Sequence, residues 1–150
     1  MRLVIQRVSN AAVSINHEVR AAIGSGLLIF VGVETGDSIN DVEWLAQKTV
    51  NMRIFNDENG VMNRSLLETG GEALAVSQFT LTASTKKGNR PSYIRAANHE
   101  LAIPLYEEYC RILSELLSRD VKTGVFGADM KISLTNDGPV TIIIDSRLKE

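Results

Sequence analysis

Leu3, Ile5 and Arg7 fall on one side of an extended segment and Val4, Gln6 and Val8 on the other, a period of two that predicts a β-strand. Ala12 to Ile15 is a second β-rich piece, Asn16-His17-Glu18 has turn composition, and Val19 to Ile23 follows, so the N-terminus reads as an antiparallel meander. After Gly24-Ser25-Gly26, the run Leu27-Leu28-Ile29-Phe30-Val31-Gly32-Val33 has no polar face. Its β-branched and aromatic content predicts a central strand covered on both sides.

The period then changes. Asn40 and Glu43 have the spacing of a capping box, and Val42, Leu45, Ala46 and Val50 recur at helical intervals to about Met52. The turn-forming clusters Asn56-Asp57-Glu58-Asn59-Gly60 and Thr69-Gly70-Gly71 enclose a short amphipathic piece, and Ala73 to Leu81 reads as a strand ending at Thr82. Lys86 to Pro91 is a basic loop. Pro104 suits the first turn of a second helix with an apolar stripe of Leu105, Tyr109, Ile112, Leu113, Leu116 and Leu117, ending near Arg119 or Asp120. Met130 to Thr135 and Val140 to Asp145 read as strands joined by Asn136-Asp137-Gly138-Pro139, a β-hairpin or a close variant. This order implies one α+β domain over residues 1–150, a mainly antiparallel β-sheet or small β-barrel with two packed helices.

Composition narrows the class. A chain of 150 residues with 44% hydrophobic content can bury one sizeable core, and its net charge of −2 gives no global attraction to polyanions. Contact with nucleic acid has to be local, and Lys86, Lys87, Arg90 and Arg95, uninterrupted by acidic residues, are the obvious candidates; a solvated loop has the same composition. Cys110, the only cysteine, lies in an apolar helical pattern and can form no internal disulfide, which fits a reducing, cytoplasmic compartment. The N-terminus lacks the pattern of a targeting segment, and Leu27 to Val33 falls far short of the roughly 20 residues that cross a bilayer, so a soluble protein with no membrane contact is expected.

Conventional active-site chemistry is missing. His17 sits in a turn and His99 just ahead of the second helix, where exposed loop residues are the plainer reading, and no His-x-x-x-His, Cys-x-x-Cys or Gly-x-Ser-x-Gly pattern occurs. Neither a histidine triad nor a zinc site is expected. Gly24-Ser25-Gly26 lacks a third glycine and leads into a strand, which disfavours a nucleotide cofactor; no metal and no cofactor are predicted. An enzyme built from this chain would work with backbone groups, hydroxyls or functional groups of its substrate.

Two segments stand out. Ser77-Gln78-Phe79-Thr80-Leu81 alone is an ordinary strand end, and Asn136-Asp137-Gly138-Pro139-Val140-Thr141 alone is a tight loop. Together and in order, with Ile5-Gln6-Arg7-Val8, Gly26-Leu27-Leu28, Gly32-Val33-Glu34, Arg53-Ile54-Phe55 and Arg90-Pro91-Ser92, they resemble the D-aminoacyl-tRNA deacylase family over essentially the whole chain.

That resemblance implies hydrolysis of the ester of D-aminoacyl-tRNA. It implies that Ser77, Gln78, Phe79 and Thr80 line a pocket for the 3'-terminal adenosine, with backbone N–H groups around Phe79 and Thr80 facing the reacting carbonyl. Such donors contribute roughly 3 to 4 kcal/mol each in other hydrolases. Thr80 could be a nucleophile, but no base is in view to activate it; a positioning role, with the ribose 2'-hydroxyl assisting water, is what the family implies. Gly138-Pro139 is expected to be a cis peptide inserted into the partner subunit's site, where its backbone excludes the Cβ of an L-aminoacyl group. Glycine passes that filter, which adds glycyl-tRNA mischarged on alanine tRNA as a substrate. Arg7 and Asn136 are expected at that loop, Met130 against the adenosine or in the core, and Lys86, Lys87, Arg90 and Arg95 at the tRNA acceptor end. A site completed by a neighbour requires a homodimer. The rival readings are a hydrolase of small D-amino-acid esters or peptides and a non-enzymatic nucleic-acid or partner-binding module.

Overall fold

The computed structural model describes residues 1–149, and in it the first two β-rich pieces are one long strand, β1 (Arg2–Ile15). Every other long strand is arranged around it. Along one edge β1 pairs antiparallel with β2 (Glu18–Ile23) through Ala11–Ile15 and with β3 (Gly26–Gly32) through Arg2–Val8. Along the other edge lies the last strand, β8 (Lys131–Asp145). A two-stranded ribbon, β4 (Phe55–Asn56) and β5 (Met62–Arg64), stands apart. Beyond β3 the pairing turns parallel, to β6 (Glu72–Ser77) and then to the short β7 (Lys122–Thr123). Because β2 also lies against β6 and β7, this mixed sheet curls into a nearly closed barrel.

Alternate residues of the central strands feed two apolar layers. Leu28, Leu74 and Val76 join Val8, Ala11, Val13 and Ile23 inside the barrel. Leu27, Ile29, Ala73 and Ala75 join Leu3 and Ile5 on the side covered by the helices. This double coverage is why Leu27 to Val33 carries no polar face. At Gly26 a Cβ would lie 1.9 Å from the Glu72 carbonyl oxygen, so only glycine permits the close approach of β3 and β6.

The first helix, α1 (Ile39–Asn51), is capped by Ser38 and Asp41 where Asn40 and Glu43 were expected, and the Asp41 carboxylate accepts from the Ser38 N–H at 2.8 Å. The short amphipathic piece is α2 (Leu66–Thr69), which also starts in a capping box, Ser65 with Glu68. The long helix α3 (His99–Leu117) begins at an Asn98 cap, ahead of the expected start, and runs through Pro104 in its second turn. That proline is exposed and so is Glu100, whose carbonyl loses its N–H partner to water. The buried stripe is Ala102, Tyr106, Tyr109, Cys110 and Leu113, rotated from the expected one, and Leu105, Ile112, Leu116 and Leu117 are only partly buried. Thr49 and Tyr109 share a buried hydrogen bond of 2.8 Å that joins α1 to α3. Among the described residues no helix is long and apolar enough to cross a membrane.

The expected C-terminal hairpin is replaced by a single strand. Both halves of β8 run antiparallel to β1, with Gln6 facing Thr141 and Val8 facing Asn136. Asp137, Gly138, Pro139 and Val140 are therefore accommodated opposite Arg7 alone, and the turn-forming composition of this segment makes a large bulge where a chain reversal was expected.

Candidate active site

Strand β6 ends at Ser77, short of the expected Leu81, because Gln78 turns the chain into a 3-10 turn, Phe79–Thr82. The Gln78 N–H makes the last bond to the sheet, to the Val31 carbonyl at 2.8 Å. The Leu81 N–H then bonds the Gln78 carbonyl at 3.2 Å, and the Ala83 N–H bonds the Thr80 carbonyl at 3.1 Å. The first N–H groups of any helical turn have no partner inside it, which leaves those of Phe79 and Thr80 free of the turn's own ladder.

The far end of the turn is held by two arginines. Arg2 Nη1 donates to the Leu81 carbonyl at 2.8 Å and also pairs with Asp145. Arg95 Nη2 donates to the Thr82 carbonyl at 3.0 Å, with Nη1 3.8 Å from the buried Glu34 carboxylate. The Thr80 hydroxyl accepts from Gln78 Nε2 at 2.5 Å. Among the described residues it has no imidazole or carboxylate partner.

Ser77, Gln78 and Phe79 line a cleft of about 510 Å³ together with Phe126 and Met130. Met130 also packs against the barrel core, so the core-filling alternative expected for it is met, and the same side chain lines the cleft. His99 and Tyr106 complete the rim, His99 as the first residue of α3, exposed and edge-on to Phe126 at 5.6 Å. Sequence reasoning placed His99 in a loop and overlooked Phe126 and Tyr106, which no motif marks; the N-terminus of α3 and the Gly127 turn bring them in. The Cys110 thiol is no candidate nucleophile: it is buried away from the cleft, and burial pushes its pKa up to about 12. A cleft of this size, mostly apolar with a few polar groups, has the character of a small-molecule site.

The Asp137–Val140 bulge is held from both sides. Arg7, only 7% exposed, donates through Nε to the Asp137 carbonyl at 2.8 Å and through Nη1 to the Ile54 carbonyl at 2.6 Å. The Asn136 side chain bridges both backbone groups of Val140, accepting from its N–H at 2.8 Å and donating to its carbonyl at 3.1 Å. The Gly138–Pro139 peptide is cis, and Gly138 has a φ of +148°. Asp137, Gly138 and Pro139 are exposed, and none of them lines the cleft of their own chain. Within this chain Gly138 and Pro139 do not join Ser77, Gln78 and Phe79 at the cleft.

The four basic residues also divide. Lys86, Lys87 and Arg90 are exposed on a loop closed by reciprocal backbone bonds of 2.9 Å between Ser84 and Ser92. Arg95 turns back on the 3-10 turn.

The family model described as D-Tyr-tRNA(Tyr) deacylase matches residues 4–145. The chain is 61% identical over 150 residues to a D-aminoacyl-tRNA deacylase of Bacteroides fragilis (strain YCH46) and 58% identical over 150 residues to one of Chromobacterium violaceum, each alignment covering 100% of both chains. Among solved structures it is similar to a c-Myc DNA unwinding element binding protein, with a TM-score of 0.90, 36% identity, and coverage of 97% of this chain and 98% of the other. A probable eukaryotic D-amino acid tRNA deacylase shares the fold at a TM-score of 0.83 with 16% identity, over 95% of this chain and 97% of that one.

Proposed function

The chain belongs to the D-Tyr-tRNA(Tyr) deacylase family and is by that membership a hydrolase of D-aminoacyl-tRNA; from this premise we propose that it selects against L-aminoacyl groups by backbone exclusion at Gly138-Pro139 and hydrolyses the ester with help from the substrate's own 2'-hydroxyl. Residues 1–150 act as one deacylase domain in the cytoplasm.

The observation that carries this reading is the turn at Phe79 and Thr80: two backbone N–H groups outside the turn's internal ladder, with Phe79 on the wall of a cleft of about 510 Å³ and, among the described residues, no base paired to the Thr80 hydroxyl. An ester carbonyl placed there develops an oxyanion facing preorganised donors, the arrangement that stabilises a tetrahedral intermediate. Ser77 and Gln78 line the site, and Gln78 fixes the Thr80 hydroxyl as a positioning group. Met130 and Phe126 hold the terminal adenosine. Water attacks the carbonyl, the vicinal 2'-hydroxyl relays the proton, and the 3'-oxygen leaves with it, so no protein base is required.

The filter comes from a second copy. An exposed bulge, fastened by Arg7 and Asn136 and remote from its own cleft, is built to act elsewhere, and a twofold homodimer places it over the partner's ester. Its backbone collides with the Cβ of an L-residue. A D side chain points the other way and glycine has none, so glycyl-tRNA(Ala) is a second substrate. Lys86, Lys87 and Arg90 meet phosphates of the acceptor end, while Arg95 braces the turn.

The test compares D-tyrosyl-tRNA ending in adenosine, the same substrate ending in 2'-deoxyadenosine, and D-tyrosine methyl ester. Only the first is expected to be hydrolysed rapidly. Equal loss of the deoxy substrate removes the 2'-hydroxyl from the mechanism, and rapid loss of the methyl ester replaces the reading with a small-ester hydrolase.

A further inference from the structure

From Thr82 to Ala97 the chain carries Lys86, Lys87, Arg90 and Arg95 and no acidic residue. Tyr93 and Ile94 leave directly from the Ser84–Ser92 closure at the base of the basic loop, and Ile94 is 88% exposed. The Tyr93 ring, 38% exposed, meets the ring of Phe79 edge to face with 5.0 Å between centroids and 67° between planes. Phe79, 56% exposed, is also a wall of the cleft. An apolar strip thus leads outward from the cleft through Phe79 and Tyr93 to Ile94, flanked by cations.

We propose that Tyr93 and Ile94 form a stacking platform for the unpaired nucleotides that precede the terminal adenosine, with Lys86, Lys87 and Arg90 on their phosphates. This rests on the deacylase reading and adds a binding subsite to it. A cleft of about 510 Å³ takes one nucleoside with its acyl group, so the preceding nucleotides have to leave past its mouth, where Phe79 and Tyr93 stand. Aromatic faces along a cationic track hold single-stranded nucleic acid, because every base offers a π face and every linkage a negative charge. Charge also decides between occupants. Arg95 is engaged with Thr82 and Glu34, but a polyanion complements the three exposed cations Lys86, Lys87 and Arg90, whereas the same strip on a second copy would repel them.

The experiment measures kcat and KM of the full chain and of the Tyr93→Ala, Tyr93→Phe and Ile94→Ser variants on two substrates, D-tyrosyl-tRNA and the D-tyrosyl ester of adenosine alone. Tyr93→Ala is expected to raise KM for the tRNA about tenfold, equivalent to ~1.4 kcal/mol and within the range for stacking one base. Its kcat stays unchanged, Tyr93→Phe keeps most of the affinity, and Ile94→Ser gives a smaller rise. The adenosine ester, which lacks the preceding nucleotides, is turned over equally by all four proteins. Equal slowing of both substrates by Tyr93→Ala overturns the proposal in favour of Tyr93 acting through Phe79. Unchanged KM for the tRNA in every variant also overturns it, as does a change of sedimenting mass in Tyr93→Ala or Ile94→Ser, which marks the strip as a contact between copies. If the wild type leaves both esters intact, the deacylase reading itself fails.

Discussion

The guanidinium of Arg7 holds the Asp137 carbonyl at 2.8 Å, and this bond fixes the base of the bulge that carries Gly138 and Pro139. The same side chain reaches the Ile54 carbonyl at 2.6 Å, so one buried cation ties the bulge to the segment after α1.

Removal of this cation should show in stability and selectivity together. Arg7→Ala leaves two carbonyls without their donor, each costing ~1–3 kcal/mol where water does not replace it. Urea denaturation should report a loss of roughly 2–6 kcal/mol by the same reasoning. Arg7→Lys supplies a point charge in place of a planar fork and should retain part of the stability while widening the range of esters accepted. A stable Arg7→Ala protein with unaltered D/L discrimination would break the link between this residue and the filter.

Gly138→Ala probes the bulge itself. A Cβ there would lie 2.7 Å from Val140 Cγ2 and 2.8 Å from Val140 N, on a backbone with φ of +148°. The bulge must rearrange, and because the proposed dimer sets it over the partner's ester and not over the nucleoside, titration with adenosine should give the same affinity as wild type. Hydrolysis of L-tyrosyl-tRNA should rise relative to that of the D ester. A weakened adenosine affinity with unchanged D/L discrimination would place the bulge in nucleoside binding.

Thr80 separates positioning from covalent catalysis. Its hydroxyl is fixed by Gln78 at 2.5 Å and has no base beside it. Thr80→Ser should keep near-normal kcat, and Thr80→Val should lower it by about tenfold, equivalent to ~1.4 kcal/mol for one lost hydrogen bond. Loss of several orders of magnitude in Thr80→Val, with accumulation of an acyl-enzyme, would make Thr80 the nucleophile.

Cys110 gives a pH-dependent prediction. Burial raises its pKa to about 12, so the neutral thiol is the favoured form throughout the neutral range and thiolate appears only as pH climbs toward that value. Iodoacetamide at pH 8 should therefore leave the native protein unmodified and add one label after unfolding in urea. Rapid labelling of the native protein would contradict the packing of α3 against the sheet.

How far the sequence revealed this molecule can be judged from particular elements. Leu27 to Val33 was legible because a strand buried on both faces has no polar positions. The α1 boundary was misread because Ser38 with Asp41 and Asn40 with Glu43 carry equivalent capping chemistry two residues apart. The bulge was misread for a deeper reason: Asn136-Asp137-Gly138-Pro139 has the composition of a reversal, and only pairing of both halves of β8 to β1 turns it into an insertion opposite Arg7. At the cleft, Ser77, Gln78 and Phe79 were marked by resemblance, whereas Thr80 lies beyond its lining, and Phe126, Tyr106 and His99 are assembled by tertiary packing and leave no local signal.

The central claim is that a backbone filter spares L-aminoacyl-tRNA while D and glycyl esters are hydrolysed. Initial rates on D-tyrosyl-tRNA, L-tyrosyl-tRNA and glycyl-tRNA(Ala), measured in parallel with one preparation of the wild-type chain, test it directly. Rapid loss of the D and glycyl esters with the L ester intact is the predicted result. Hydrolysis of the D and L esters at comparable rates would contradict it, and a spared glycyl ester would show that selection reads a D side chain instead of excluding an L one.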